Sequence, residues 1–295
     1  MRAIHRASNT VGLLLGVIAV MPGVCSAMSE AKPSESQLQP SNDPSSDESY
    51  VDVKVAMDSA GFTPGETTLV GLTFTVADGW HTYWPGLSDT GFGVTLKTKA
   101  PEGLRVGEPI WPTPDRYLMP GDILDHVYEH EFTVLIPMTL DKGFEAGMPM
   151  TITTDITYLV CKEMCLPGSL SIEYGGWTLD PDLERPEVAG GHRDRIQLLY
   201  QSRAMPLKAE RPDARVMISE DRAVIFVPHA RGLVFYPSRA CVELASLIAD
   251  GVSSSDTLTL HTEPMTGDML EGRLEVIDDN GASRSYTLRV PAVAE

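Results

Sequence analysis

The run from Met150 to Cys161 constrains this chain more than any other stretch. Ile152, Thr154, Ile156, Tyr158 and Val160 recur at every second position, the period of a β-strand with one buried face. The strand leads into Cys161-Lys162-Glu163-Met164-Cys165. If the chain stayed extended, the two cysteines would lie roughly 13 Å apart at about 3.3 Å per residue. A disulfide needs Cα atoms within about 4.4–6.8 Å of each other. The pair therefore bridges only if Lys162-Glu163-Met164 reverses the chain. Two roles are open to it: a small structural staple in an exported β domain, or an exposed, exchangeable pair.

The same period recurs along much of the chain. Val51, Val53 and Val55 alternate with Asp52, Lys54 and Ala56. Thr67 to Val76, Trp80 to Trp84, Val94 to Lys97, Tyr128 to Met138 and Leu170 to Trp177 read as further strands, with Gly and Pro turns between them. The proline-punctuated stretch from Ala100 to Asp125 reads as irregular. Arg193 to Ala204 is the one convincing helical segment, and β patterning resumes from Arg215 to Val290, with a hairpin turn at Asp278-Asp279-Asn280-Gly281. The pattern predicts an all-β chain of two antiparallel, immunoglobulin-like β-sandwiches at 49–180 and 213–295, joined by a partly helical connector at 181–212. Val242 to Ile248 fits a strand or a short helix.

Residues 1–27 have the layout of a secretory signal peptide: Arg2 and Arg6, an apolar core from Val11 to Val20, and the small-x-small site Cys25-Ser26-Ala27. The rival is a lipoprotein signal acylated at Cys25, but Val24 occupies the preceding position, where such signals take Gly, Ala or Ser. Residues 28–48, rich in Ser, Pro, Glu, Asp and Gln, read as a disordered acidic linker. The apolar core is shorter than the roughly 20 residues of a membrane span, so no stable membrane insertion is expected. The net charge of −18 becomes more negative once the two leader arginines are removed, which argues against binding nucleic acid or anionic lipid.

A serine elbow, a phosphate loop, a dinucleotide fingerprint and a zinc-ribbon cysteine set are all missing from the sequence, and no cofactor is expected. His126 and His130, four apart on one expected strand, share a face but lie roughly 13 Å apart along it. That is too far for one metal ion unless the strand bends, in which case His81 could join them; a solvated or packed role is the expectation. Met119, Met138, Met148, Met150 and Met164 suit core filling better than soft-metal binding. The acidic residues Asp115, Asp122, Glu129 and Glu131 are what an acidic surface supplies by chance. No metal site is expected. The cysteines remain, and Cys241 reads as a buried free thiol rather than a third reactive one.

Three motifs occur in order: Ala77-Asp78-Gly79 before Trp80-His81-Thr82-Tyr83-Trp84; Ile110-Trp111-Pro112-x-Pro114-x-Arg116-Tyr117; and Tyr158-Leu159-Val160-Cys161-Lys162-Glu163-Met164-Cys165-Leu166-Pro167. Together they resemble the amino-terminal periplasmic domain of the DsbD/ScsB-type thiol–disulfide reductases, well over residues 50 to about 178 and more loosely beyond. The resemblance implies an immunoglobulin-like sandwich in the periplasm, carrying a Cys161–Cys165 disulfide. It implies that the pair takes electrons from a membrane-embedded thiol reductase and passes them to periplasmic thioredoxin-like or disulfide isomerase proteins, in the service of cytochrome c biogenesis, disulfide correction or stress defence. Cys165 would link to partners and Cys161 would resolve the mixed disulfide. A capping loop would fall within Arg116–Asp125, with Tyr117 and Leu118 as the shield. Lys162 would lower a neighbouring thiol pKa and Glu163 would oppose it. The chain ends at Glu295 without a Cys-x-x-Cys, so the membrane and thioredoxin-like steps are expected to fall to other proteins. The competing expectation is a non-enzymatic binding module, stapled by Cys161–Cys165, that recruits envelope proteins or metal.

Overall fold

The computed structural model describes residues 49–183, 188, 191–262 and 269–291. The leader at 1–27 with Cys25, the linker at 28–48 and part of the connector lie outside them.

The first sandwich contains β1 (Val51–Met57), β2 (Gly61–Phe62), β3 (Thr67–Val76), β4 (His81–Tyr83), β5 (Thr95–Lys99), β6 (Leu104–Val106), β7 (Asp115–Met119), β8 (Ile123–Glu129), β9 (Glu131–Leu140), β10 (Pro149–Cys161) and β11 (Cys165–Thr178). One sheet has the order β1-β3-β9-β6, and the facing sheet β2-β11-β10-β4-β8-β7, with β5 also on β10. Phe74, Val134, Ile136, Met138, Ile152 and Ile156 are buried between the sheets.

Helix α1 (His192–Gln201) follows and seats Ile196 against Leu69 and Leu135 on the outside of the first sheet. Then come β12 (Met205–Pro206), α2 (Leu207–Glu210), β13 (Arg215–Ser219), β14 (Arg222–Phe226), β15 (Gly232–Pro237), α3 (Leu247–Asp250), β16 (Val252–Ser253), β17 (Thr257–His261), β18 (Met269–Ile277) and β19 (Ser283–Pro291). They form a sheet β12-β19-β18-β15-β16 over a sheet β13-β14-β17, with their own core around Ile225, Leu233, Phe235, Leu260 and Leu274. Val242 to Ile248 is mostly neither strand nor helix, and α3 takes only its last two residues. Among the described residues, no helix is long and apolar enough to cross a membrane.

Two departures from the sequence pattern shape the site. The Ala100–Asp125 stretch is not irregular throughout: it holds β6 and the hairpin of β7 with β8. Tyr128 to Met138 is not one strand either. His130 takes a left-handed conformation, φ 57°, and the chain crosses from one sheet to the other there. Tyr128 pairs with Thr82, whereas Glu131 pairs with Thr75. His126 and His130 therefore do not share a strand.

Candidate functional site

The burial of β10 marks where the site begins. From Met150 to Tyr158 every second residue is buried, but Leu159, Val160 and Cys161 are buried in succession. A strand buried on both faces has a second layer over it. Here Val160 enters the sandwich core, while Leu159 and Cys161 meet a small outer cluster with Tyr83, Val127 and Tyr117.

Strand register builds that outer face. Cys161 lies opposite His81, and His81 opposite Glu129. One step along, Tyr83 lies opposite Val127, and Asp125 on the same strand pairs with Tyr117. Residues two apart share a face, so β4, β7, β8 and β10 present Cys161, His81, Tyr83, Asp125 and Tyr117 together.

The chain reverses at Lys162-Glu163-Met164, and Cys161 and Cys165 close the hairpin as a disulfide with Cα atoms 4.1 Å apart. The two sulfurs differ in access: Cys161 is 2% exposed, whereas Cys165 belongs to the exposed hairpin tip. The Tyr83 hydroxyl donates to Cys161 Sγ at 3.2 Å and lies 3.8 Å from Cys165 Sγ. Burial raises the Tyr83 pKa above its ordinary value, keeping the phenol a hydrogen-bond donor. His81 stacks at a tilt on Tyr117, ring centroids 4.7 Å apart, and edge-on to Tyr83 at 5.4 Å. Its Nε2 is buried without a hydrogen-bond partner. Burial holds the imidazole pKa below its ordinary value, with Glu129 and Asp125 pulling the other way.

Of the two residues expected to shield the pair, Tyr117 joins the cluster around Cys161. Leu118 lies on the other side of β7 and is 61% exposed. Lys162 and Glu163 are exposed at the tip, and the Lys162 ammonium lies back over Gly79. Sequence reasoning missed Tyr83 and His81 as neighbours of the cysteines. Their signal was the loss of alternation at Tyr158-Leu159-Val160-Cys161, which demands a covering layer, and the aromatic run Trp80–Trp84 was available to supply it.

Cys241 is a free thiol, half-buried against the second core, and burial pushes its pKa up to about 11. Among the described residues, no three His, Cys, Asp or Glu side chains gather as a metal-binding group.

The sequence profile described as "Thiol:disulfide interchange protein DsbD, N-terminal" matches residues 48–173. The N-terminal periplasmic domain of ScsB from Proteus mirabilis shares the fold, with a TM-score of 0.52 at 15% identity over 83% of this chain and 95% of that one. The reduced N-terminal domain of DsbD from Neisseria meningitidis aligns at 20% identity over 46% of this chain and 90% of its own, TM-score 0.29. A further alignment is to the complex between the DsbD and PilB N-terminal domains of Neisseria meningitidis, at 21% identity over 48% of this chain and 96% of that one, TM-score 0.30. No curated protein matches the chain in sequence.

Proposed function

We propose that this protein, whose residues 48–173 match the DsbD N-terminal profile, relays electrons in the periplasm through Cys161 and Cys165. The observation that carries the reading is the unequal access of the two sulfurs beneath one tyrosine hydroxyl. In this scheme a thiolate of the electron donor, a membrane-embedded thiol reductase, attacks the exposed Cys165 Sγ. The Cys161–Cys165 bond breaks, and its electron pair leaves on Cys161 Sγ, which the Tyr83 hydroxyl stabilises before it takes a proton. The donor's second thiolate then attacks its own sulfur in the mixed disulfide. The donor departs as a disulfide, and Cys161 and Cys165 hold the two electrons as thiols.

Delivery to a thioredoxin-like or disulfide isomerase partner reverses the order. The Cys165 thiolate attacks the partner's disulfide, and Cys161 resolves the mixed disulfide, leaving the partner reduced. Tyr117 caps the pair against oxidants in a compartment where an open dithiol would be consumed. The acidic surface suits an exported protein, with residues 1–27 as a cleaved signal.

Trapping tests the assignment. Cys161→Ala should accumulate a mixed disulfide through Cys165, while Cys165→Ala should not. A reduction potential well below about −300 mV would mark the pair as a structural staple and sink the relay.

A further inference from the structure

The hairpin of β7 with β8 has two working faces. Tyr117 and Asp125, opposite each other in register, lie on the face toward the cysteines. Tyr117 stacks on His81, and Asp125, fully buried, accepts from the Thr90 backbone N–H and hydroxyl at 2.9 and 2.5 Å. The next register pair, Arg116 and His126, projects to the opposite face. There it meets the second sandwich.

The Arg116 guanidinium donates to the carbonyls of Leu247 at 3.0 Å and Ile248 at 3.4 Å. The His126 ring lies edge-on to Tyr236, centroids 5.3 Å apart, and is itself held by a 2.6 Å hydrogen bond to the Leu87 carbonyl. Leu87 N–H in turn donates to the Pro237 carbonyl at 3.0 Å. The back of the hairpin is thus gripped by β15 and the start of α3, while its front covers Cys161.

We propose that the second sandwich sets access to the cysteine pair, with Arg116 as the positioning residue that keeps Tyr117 down. The purpose of this control rests on the exchange reading given above, but the control itself does not. Among the described residues β7 is the edge strand of its sheet, so the contact behind it replaces the neighbour that would otherwise fix it. Loss of the Arg116 bonds leaves the hairpin's back held by His126 against Tyr236 and Tyr117 held by its stacking on His81, a weaker hold that lets the cap open more often.

The test is the second-order rate of disulfide reduction by a small water-soluble phosphine, which needs no protein partner. Tyr117→Ala sets the rate of the uncapped pair. Arg116→Ala should raise the rate about tenfold, the worth of a lost hydrogen bond from a charged donor, at an unchanged reduction potential. Arg116→Lys, which keeps a donor and the charge, should fall between it and the parent and decides the matter if Arg116→Ala does not fold. The double variant Arg116→Ala/Tyr117→Ala should react no faster than Tyr117→Ala alone, because both open the same cap. Folded Arg116 variants that react at the parent rate, or effects that multiply in the double variant, would overturn the proposal. A pair that exchanges with no thioredoxin-like protein, yet shows the Arg116 effect toward phosphine, would instead overturn the relay and leave the cap standing.

Discussion

Each sandwich carries one long hairpin, β10–β11 in the first and β18–β19 in the second, and the two close by different means. The second turns at Asp278–Ala282 with ordinary turn chemistry. Asp278 N–H donates to the Ala282 carbonyl at 2.9 Å, the Asp278 carboxylate accepts from Asn280 N–H and Ala282 N–H, and Gly281 sits at φ 77°. The first turns at Lys162-Glu163-Met164, none of which takes a positive φ. Its backbone contributes Lys162 N–H to the Met164 carbonyl at 3.3 Å. The strand ladder runs up to the pair Cys161 and Cys165, and the covalent bond between them closes the turn. One reversal is written in conformational preference and survives a change of redox state. The other is closed by a bond that a thiolate can cut, at a tip where Cys165 is exposed.

The largest effects should separate the two ends completely. Cys165→Ser should abolish exchange with a dithiol, whereas Cys241→Ala, at a thiol held protonated by burial in the second core, should leave it unchanged in a stopped-flow exchange assay. Reduction of the parent protein should raise amide exchange around Cys161–Cys165 and leave Asp278–Ala282 as it was, measured by hydrogen–deuterium exchange. Equal loosening at both turns would erase the distinction.

A smaller effect is expected at Tyr83→Phe, which keeps the ring in its cluster and removes only the donor to Cys161 Sγ. A hydrogen bond to a charged group contributes about 1.5–3 kcal/mol. The Cys161 thiol pKa should therefore rise and the rate with a protein dithiol fall roughly tenfold or more, read from thiolate absorbance and exchange kinetics. At the other hairpin, Asp278→Ala should cost about 1 kcal/mol of stability in denaturant melts without altering the exchange rate.

This division explains what was legible in the sequence. The strand pattern of Met150–Tyr158 is visible because one face is core and the other solvent, and the Asp-Asp-Asn-Gly turn is visible because its residues are selected by local geometry. The pair itself was visible as two cysteines that need a turn between them. Asp115-Arg116-Tyr117-Leu118-Met119 was not visible as a strand, because its two faces serve different neighbours, the cysteine cluster and the second sandwich, and no apolar alternation results. The break at His130 was hidden for a related reason. The residues on both sides are β-prone, and only the closure of one sheet over the other requires the chain to change sheets there. Tyr83 and His81 gain their place through register with β10 and β8, which no local pattern specifies.

The smallest expected effect is acid sensitivity confined to the cysteine end. His81, opposite Cys161 in register, is kept below the ordinary histidine value of 6.5 chiefly by burial, despite Glu129 and Asp125. His126, behind the same hairpin, is lowered by burial too; the Leu87 carbonyl, Asp125 and Asp89 oppose this and Arg116 reinforces it. Each takes up a proton less readily in the fold than in the unfolded chain, whose histidines titrate near pH 6.5. As pH falls through that value the unfolded or opened state binds more protons than the native one, so stability is full above it and declines below it. Amide protection at Cys161–Cys165, corrected for intrinsic exchange, should therefore drop below pH 6.5. The turn at Asp278–Ala282, whose neighbouring charges are Asp278, Asp279 and Arg231, should not respond in that range. His81→Phe should flatten the profile at the cysteine end and His126→Phe should reduce it in part. A His81→Phe profile that follows the parent would place the acid response elsewhere in the cluster.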